Sequence, residues 1–106
     1  MISISRKHHA YVKVRGQKQG SKYGAPMILK NISKSGAQLH LVTAYTEFLK
    51  GDLIQLEINL DAVNRNHIIN AEVVWSKEGA LGVSFKSPDS AVFNLADMKQ
   101  ALSKSE

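Results

Sequence analysis

Apolar and polar residues alternate along much of the chain, and this alternation predicts short β-strands. The period of two is clear in residues 10–15 and 52–60, as expected when one face of a strand is buried. Further strands are predicted at residues 27–30, 37–42, 67–75 and 80–86, with glycine-rich or polar turns between them. Six short strands without intervening helices favour an all-β, mainly antiparallel barrel or sandwich.

The same alternation assigns individual side chains to the two faces of each strand. Trp75 and Phe85 fall among the apolar positions of their strands, so both are predicted to lie in the core. His40 and His67 are predicted to face outward. Residues 16–26, GQKQGSKYGAP, contain three glycines and a proline, which is typical of a mobile connection between strands.

One helix is predicted at the end of the chain. Ser87 is placed to act as its N-cap, and Pro88 suits its first position. Apolar residues then recur at helical spacing, at Ala91, Leu95, Met98 and Leu102. We expect this stripe to pack against the barrel, and a partner-binding helix is the alternative.

Length and composition indicate one globular domain. The chain has 106 residues, 43% of them hydrophobic, so we expect a single barrel domain at residues 10–104, preceded by a flexible basic segment at residues 1–9. Without cysteine, disulfides and thiolate metal sites are excluded. The start, MISISRKHH, lacks the apolar run of a signal peptide, and no stretch of about 18 apolar residues occurs, so a cytoplasmic location without membrane attachment is expected.

Charge is distributed unevenly along the sequence. Eight lysines and arginines and no acidic residue precede Glu47, whereas six basic and nine acidic residues follow from there onward. A basic half of this kind attracts phosphates, whether of a nucleotide, a nucleic acid or a lipid surface, or else an acidic protein face. A solvated basic surface without a ligand is the alternative.

Catalytic and metal-binding motifs are not found. Adjacent His8 and His9 would project to opposite sides of an extended segment, and His40 and His67 have no HxH spacing, so no metal site is predicted. No nucleophile elbow, HExxH motif or P-loop occurs, and we expect neither an enzyme nor a resident cofactor. Nucleic-acid binding is disfavoured because no strand carries paired exposed aromatic residues.

The sequence Asn31-Ile32-Ser33-Lys34-Ser35-Gly36 joins two of the predicted strands. Asn and Ser side chains hydrogen-bond nearby backbone groups, and Gly supplies a positive φ, so a rigid turn is the simplest interpretation. The same amide and hydroxyl groups are also preorganised to meet a polar ligand. The pattern alone leaves both interpretations open.

In this stretch the sequence resembles the PilZ domain family, whose [D/N]-x-S-x-x-G motif is matched by Asn31, Ser33 and Gly36. The segments GAQLHL, GDLIQLEINL, AEVVW and ALGVSF follow in the order of the family's strands, and the predicted terminal helix follows them as well. The resemblance implies a six-stranded antiparallel β-barrel with a C-terminal α-helix. It also implies a bacterial signalling module that binds cyclic di-GMP as a regulatory ligand.

The second ligand element of the family, an R-x-x-x-R pair, is incomplete here. Arg6 matches its first position, but the residue four further on is Ala10. The resemblance therefore implies binding with weakened affinity through Arg6, Asn31, Ser33 and Gly36, with Lys7 and Lys34 adding positive charge, and relay of the signal to a protein partner. The alternative is an adaptor that binds a partner of a motility, pilus or biofilm system without nucleotide.

Overall fold

The computed structural model describes residues 2–5, 9, 12–22, 24–42, 47–86 and 100. Within them the backbone forms seven strands and one short 3-10 helix at Asp61–Val63. The strands are β1 (Ile2–Ser3), β2 (Val12–Lys18), β3 (Ala25–Ile32), β4 (Gly36–Leu41), β5 (Leu53–Leu60), β6 (Arg65–Lys77) and β7 (Ala80–Phe85).

Six of these strands close into an antiparallel barrel, as the sequence predicts. The order is β3-β2-β5-β6-β7-β4, and pairing of β3 with β4 closes the circle. Strand β1 lies outside this circle of six and pairs only with the end of β3, Ile2 opposite Ile32 and Ser3 opposite Asn31. Closure removes the exposed edges that an open sheet would present.

The interior is filled by the apolar halves of the alternating patterns. Strand β5 alternates buried and exposed positions over nearly its whole length, because a pleated strand points successive side chains to opposite faces. The largest fully buried side chains are Phe48, Leu29, Ile32, Leu39, Leu56, Ile58, Leu60, Leu81 and Val73. Phe85 is also buried, as predicted.

The predicted connection at residues 16–26 is longer than the observed one. Strand β2 continues to Lys18 and β3 begins at Ala25, so the connection comprises residues 19–24. Gly16, predicted to begin it, lies inside the barrel wall, where the side chain of Met27 occupies the space that a Cβ would need. The glycine belongs to a strand because a neighbouring side chain packs onto its backbone.

The prediction that Trp75 lies in the core is wrong. Its side chain is 41% exposed, because a β-bulge between Val73 and Trp75 shifts the register against β7. A bulge inserts one extra residue and interrupts the period of two. The alternation that buries Ile69, Ala71 and Val73 therefore does not carry through to Trp75.

The outward placement of His67 is also wrong. His67 is 4% exposed and lies opposite Ile58 on β5. It has the same parity as Ile69 along β6, so the strand turns both side chains to the inside. His40, by contrast, is half-buried on β4.

Both ends of the chain extend beyond the described residues. The predicted helix over residues 87–104 lies outside the described ranges except for Gln100, and it stays a prediction. The division into a flexible segment at residues 1–9 and a barrel domain from residue 10 also stays a prediction, although Ile4 is buried and its N–H donates to the carbonyl of Lys30 at 2.8 Å. Of the residues that the structure describes, none form a helix with the length and apolar character needed to span a bilayer.

Candidate functional site

The predicted turn at residues 31–36 contains the tight hairpin connection between β3 and β4, which comprises residues 33–35. The backbone N–H of Ser33 donates to the carbonyl oxygen of Gly36 at 2.8 Å, and the Ser33 hydroxyl donates to the same oxygen at 3.4 Å. Ser35 accepts from the backbone N–H of Phe85 at 2.8 Å, which ties the turn to β7. The turn is therefore anchored at both of its sides.

Gly36 is required for a different reason from the one expected. It is not among the glycines with positive φ, which are Gly20, Gly51 and Gly79. A Cβ at Gly36 would instead collide with the carbonyl oxygen of Val83 on β7. The glycine lets two backbones approach closely where the turn joins the barrel wall.

Asn31 lies at the end of β3, flanked by β4 on one side and by β1 on the other. A bulge interrupts the β3–β4 register between Leu29 and Asn31. Ser3 pairs with Asn31 across the other edge. The amide of Asn31 donates from Nδ2 to Oε1 of Gln38 on β4 at 3.0 Å, so its side chain is held along the outer surface of the barrel.

A row of paired residues continues from Asn31 across three more strands. Gln38 pairs with Gly82 on β7, and Gly82 pairs with Trp75 on β6. A Cβ at Gly82 would collide with Nε1 of the Trp75 indole, so the ring lies directly on the glycine backbone. The sequence therefore brings an exposed aromatic ring into line with the turn residue Asn31.

The residues of β7 that face outward beside this ring are small: Ala80, Gly82 and Ser84. Leu81, Val83 and Phe85 alternate with them and are buried. Trp75 pairs with Gly82 from β6, and Gln38 pairs with it from β4. An apolar ring next to amide groups on a flat surface is suited to hold a planar, polar ring system.

The charges around the row favour an anion. Lys30 precedes the turn and Lys34 lies within it, and neither forms an ion pair with another described residue. Glu72 is the acidic residue nearest in register, through Ser84, and Lys86 holds its carboxylate at 2.8 Å. Among the described residues, the two lysines are therefore the main source of the potential beside the turn.

Two of the predicted ligand residues, Arg6 and Lys7, lie outside the described residues. Arg15 is described, and it pairs with Pro26, five residues before Asn31 on β3. At about 3.3 Å per residue, roughly 16 Å of strand separates the two positions. Arg15 therefore does not replace the missing second arginine at the turn.

Two further grooves lie away from this row. One of about 500 Å³ is bordered by Gln17, Lys18, Leu53, Gln55, Asn70 and Lys86 among others. One of about 400 Å³ is bordered by residues of β2, β3 and β5 and by His9. Within the described ranges no three histidine or carboxylate side chains gather into a metal site.

Asp52 organises the turn that leads into β5. Its Oδ2 accepts from the backbone N–H of Leu49 at 2.8 Å, and this bond is the main reason that the pKa of Asp52 is lowered from its ordinary value. Burial acts in the opposite direction and raises the pKa, while Lys18, 3.3 Å from the same oxygen, lowers it further.

The structure thus brings together Asn31, Ser33 and Gly36, with Lys34 exposed on the same turn. Sequence reasoning missed Gln38 and Trp75. Gln38 follows the motif by two residues, and alternation alone places it on the outer face, but its partner Asn31 is set by the β3–β4 register. Trp75 is placed by a bulge for which the local sequence gives no signal.

Comparison with known proteins gives one family match. The family model described as PilZ domain matches residues 5–99 of the chain. The search of curated proteins finds no match.

Proposed function

The chain belongs to the PilZ domain family, and from this premise we propose that it binds cyclic di-GMP and relays the signal to a protein partner. PilZ domains are a family of cyclic di-GMP-binding signalling domains that act as binding or adaptor modules. The observation that carries the proposal is the row from Asn31 to Trp75 on the outer face, because it places fixed amides beside an exposed aromatic ring.

Asn31 and Ser33 contact the base or ribose of the ligand in this proposal. Both side chains are half-buried and held by hydrogen bonds to Gln38 and to Gly36, so little rotamer entropy remains to be lost on binding. Lys34 and Lys7 supply positive charge near the phosphates, and Gly36 keeps the turn close to β7.

Trp75 provides a surface on which one guanine stacks. Its indole is 41% exposed and rests on Gly82, so one face of the ring is already supported by the protein. Stacking of a base on an aromatic side chain contributes about 1–3 kcal/mol. The small side chains of β7 leave room for the base beside the ring.

Arg6 contacts the same ligand in this proposal, and the pairing of β1 with β3 bounds its distance from the turn. Ser3 is paired with Asn31, and Arg6 follows Ser3 by three residues. A chain covers at most about 3.6 Å per residue, so the Cα atoms of Ser3 and Arg6 are within about 11 Å of each other. A guanidinium at this position binds the guanine O6 and N7 atoms or a phosphate with paired hydrogen bonds.

The affinity is expected to be weakened because Ala10 occupies the second arginine position. Hydrogen bonds to charged groups contribute about 1.5–3 kcal/mol, which corresponds to roughly a 10–150-fold loss in affinity. His9 is described and half-buried, but a histidine lacks the planar fork of arginine and does not restore its paired contacts.

Isothermal titration of cyclic di-GMP into the purified protein tests the proposal, with GTP and a short single-stranded RNA as controls. We expect saturable, stoichiometric binding of cyclic di-GMP alone. The Lys34→Ala variant is expected to bind more weakly, and Lys22→Ala is the matched control because it removes the same charge from the β2–β3 connection, which joins the opposite end of β3 from the turn. Equal affinity of both variants with wild type would remove Lys34 from the site.

A second candidate function is that of an adaptor that binds a protein partner without nucleotide. Leu49, Leu53 and Val74 favour it, because these large apolar side chains are 53%, 45% and 40% exposed. They lie near one another, since Gly51 donates to the carbonyl of Val73 and Leu53 pairs with Glu72. Clusters of exposed apolar residues often mark interaction surfaces.

The same titration separates the two candidates. Absence of heat with cyclic di-GMP, together with a folded protein by circular dichroism, supports the adaptor. A partner from a motility, pilus or biofilm system would then be sought with a Leu53→Asp variant as the negative control, since a buried charge in a protein interface weakens binding.

A further inference from the structure

Gln38 lies on β4 between two residues of the proposed nucleotide site. It pairs with Asn31 on β3 and with Gly82, which carries the Trp75 indole, on β7. Its side chain is half-buried and accepts from Asn31 Nδ2 through Oε1 at 3.0 Å. No role in ligand binding follows for Gln38 from the motif of Asn31, Ser33 and Gly36.

This hydrogen bond couples the orientations of the two amides, and in the structure Asn31 is the donor and Gln38 the acceptor. Because Asn31 uses its nitrogen and Gln38 uses its oxygen, the Asn31 oxygen and the Gln38 nitrogen are the groups left to meet a ligand. Within the described part of the chain, neither group makes another hydrogen bond. The two side chains stand on neighbouring strands, about 5 Å apart, and so present one acceptor and one donor side by side.

We propose that Gln38 determines base specificity: its amide donates to O6 of a guanine whose amino group donates to Asn31. This inference rests on the proposed function, binding of a cyclic dinucleotide. Guanine carries the O6 acceptor and the N2 amino donor at opposite ends of one edge, whereas adenine carries the N6 amino donor in place of O6. With adenine, the Gln38 amide and the N6 amino group would face each other as two donors.

The same contact orients Asn31 before the ligand arrives. An amide that is free to rotate offers its nitrogen or its oxygen equally well. In the structure the bond to Gln38 uses the Asn31 nitrogen and so leaves the Asn31 oxygen to accept from guanine. Gln38 therefore acts on specificity twice, by its own donor and by positioning the acceptor of Asn31.

The test is the ratio of affinities for cyclic di-GMP and cyclic di-AMP, measured by titration for wild type and Gln38→Glu. Glutamate has a similar length and still accepts from Asn31, but it replaces the outward donor with an acceptor. We expect the affinity for cyclic di-GMP to fall and the ratio to drop about tenfold or more. The added negative charge repels both nucleotides alike, so its effect cancels in the ratio.

Gln55→Glu is the matched control, because Gln55 is exposed on the outer face of β5 and borders a separate groove. The ratio of affinities for cyclic di-GMP and cyclic di-AMP is expected to be the same in Gln55→Glu as in wild type. If circular dichroism shows that Gln38→Glu does not fold, Gln38→Leu replaces it in the test. Gln38→Leu is also expected to lose the preference for cyclic di-GMP over cyclic di-AMP.

The outcomes separate this inference from the function on which it rests. If wild type binds cyclic di-GMP and the affinity ratio of Gln38→Glu stays within twofold of the wild-type ratio, the role of Gln38 is overturned and the proposed function stands. Wild type that binds neither dinucleotide overturns both. A lowered ratio in Gln38→Glu, with an unchanged ratio in Gln55→Glu, supports both.

Discussion

Replacing Trp75 with alanine distinguishes an aromatic residue that binds from one that holds the fold together. The structure places Trp75 on the outer face at 41% exposure and Phe85 in the core at 5%. Both residues are aromatic and end the apolar pattern of a strand. We expect Trp75→Ala to weaken ligand binding more than folding, and Phe85→Ala to weaken folding more than ligand binding.

The expected loss of stability follows from the shielded area. A fully buried aromatic side chain removes about 150–250 Å² from water, so the shielded three fifths of Trp75 correspond to about 90–150 Å². At about 25 cal/mol per Å² this is about 2–4 kcal/mol. That is an upper estimate, because the unfolded chain already hides part of the area and alanine retains the Cβ. We expect about 2 kcal/mol, since no cavity opens at a surface position.

Phe85→Ala creates a cavity inside the barrel and is expected to cost about 3–5 kcal/mol. A domain of this length has a total stability of about 5–15 kcal/mol, so a loss of about 2 kcal/mol leaves Trp75→Ala folded at 25 °C, whereas Phe85→Ala loses most of the stability at the lower end of that range. For ligand affinity, Trp75→Ala is expected to be the more damaging of the two variants. Loss of the stacked base costs about 1–3 kcal/mol in Trp75→Ala, which raises the dissociation constant roughly 5–150-fold.

Urea unfolding followed by far-UV circular dichroism measures the first effect, and titration with cyclic di-GMP measures the second. Val74→Ala is the control for truncation of an exposed residue on the same strand. The assignment of Trp75 to the ligand is wrong if Trp75→Ala loses as much stability as Phe85→Ala while its affinity for cyclic di-GMP stays at the wild-type value. Trp75 would then support the barrel and not the ligand.

Three further predictions concern the turn, the N-terminal arginine and the loop before β5. Gly36→Ala should cost about 1–3 kcal/mol in urea unfolding, because the new methyl meets the Val83 carbonyl; unchanged stability would contradict the close approach. Arg6→Ala should abolish measurable titration with cyclic di-GMP at an unchanged melting temperature, and wild-type affinity would remove Arg6 from the site. Asp52→Asn should be less stable than wild type at neutral pH, because the pKa of Asp52 is lowered, chiefly by the Leu49 N–H. The difference should vanish as pH falls below about 4 and through the lowered pKa; a constant difference from pH 7 to pH 2 would contradict it.

Much of the fold is predictable because a closed barrel buries one face of every strand. The alternation in residues 52–60 predicts both the position of β5 and its inner face, since strand geometry and burial require the same period. The alternation fails at Trp75, where the bulge depends on pairing with β7. It also does not predict β1, whose two residues are too few to show a period.

The geometry of the candidate site was predictable where the signal is local in sequence and not where it depends on tertiary structure. Asn31, Ser33 and Gly36 stand within six residues, and their tendency to form turns is a property of the segment itself. Close approach to Val83, the actual reason for Gly36, depends on a strand 47 positions further along the chain. Gln38 and Trp75 join the site only through strand register, which no short segment of sequence encodes.

The short strand β1 has a consequence for how strongly the site can bind. By pairing with Asn31 and Ile32, it ties the start of the chain to the turn, so in the proposed site Arg6 would meet the nucleotide from a segment already attached beside it. Such a tether sets a high effective concentration without adding any contact to the ligand. Affinity is then adjustable through two backbone pairings that never touch the nucleotide. Changes at Ile2 or Ser3 would raise or lower the sensitivity of the protein to its ligand while leaving its chemical selectivity intact.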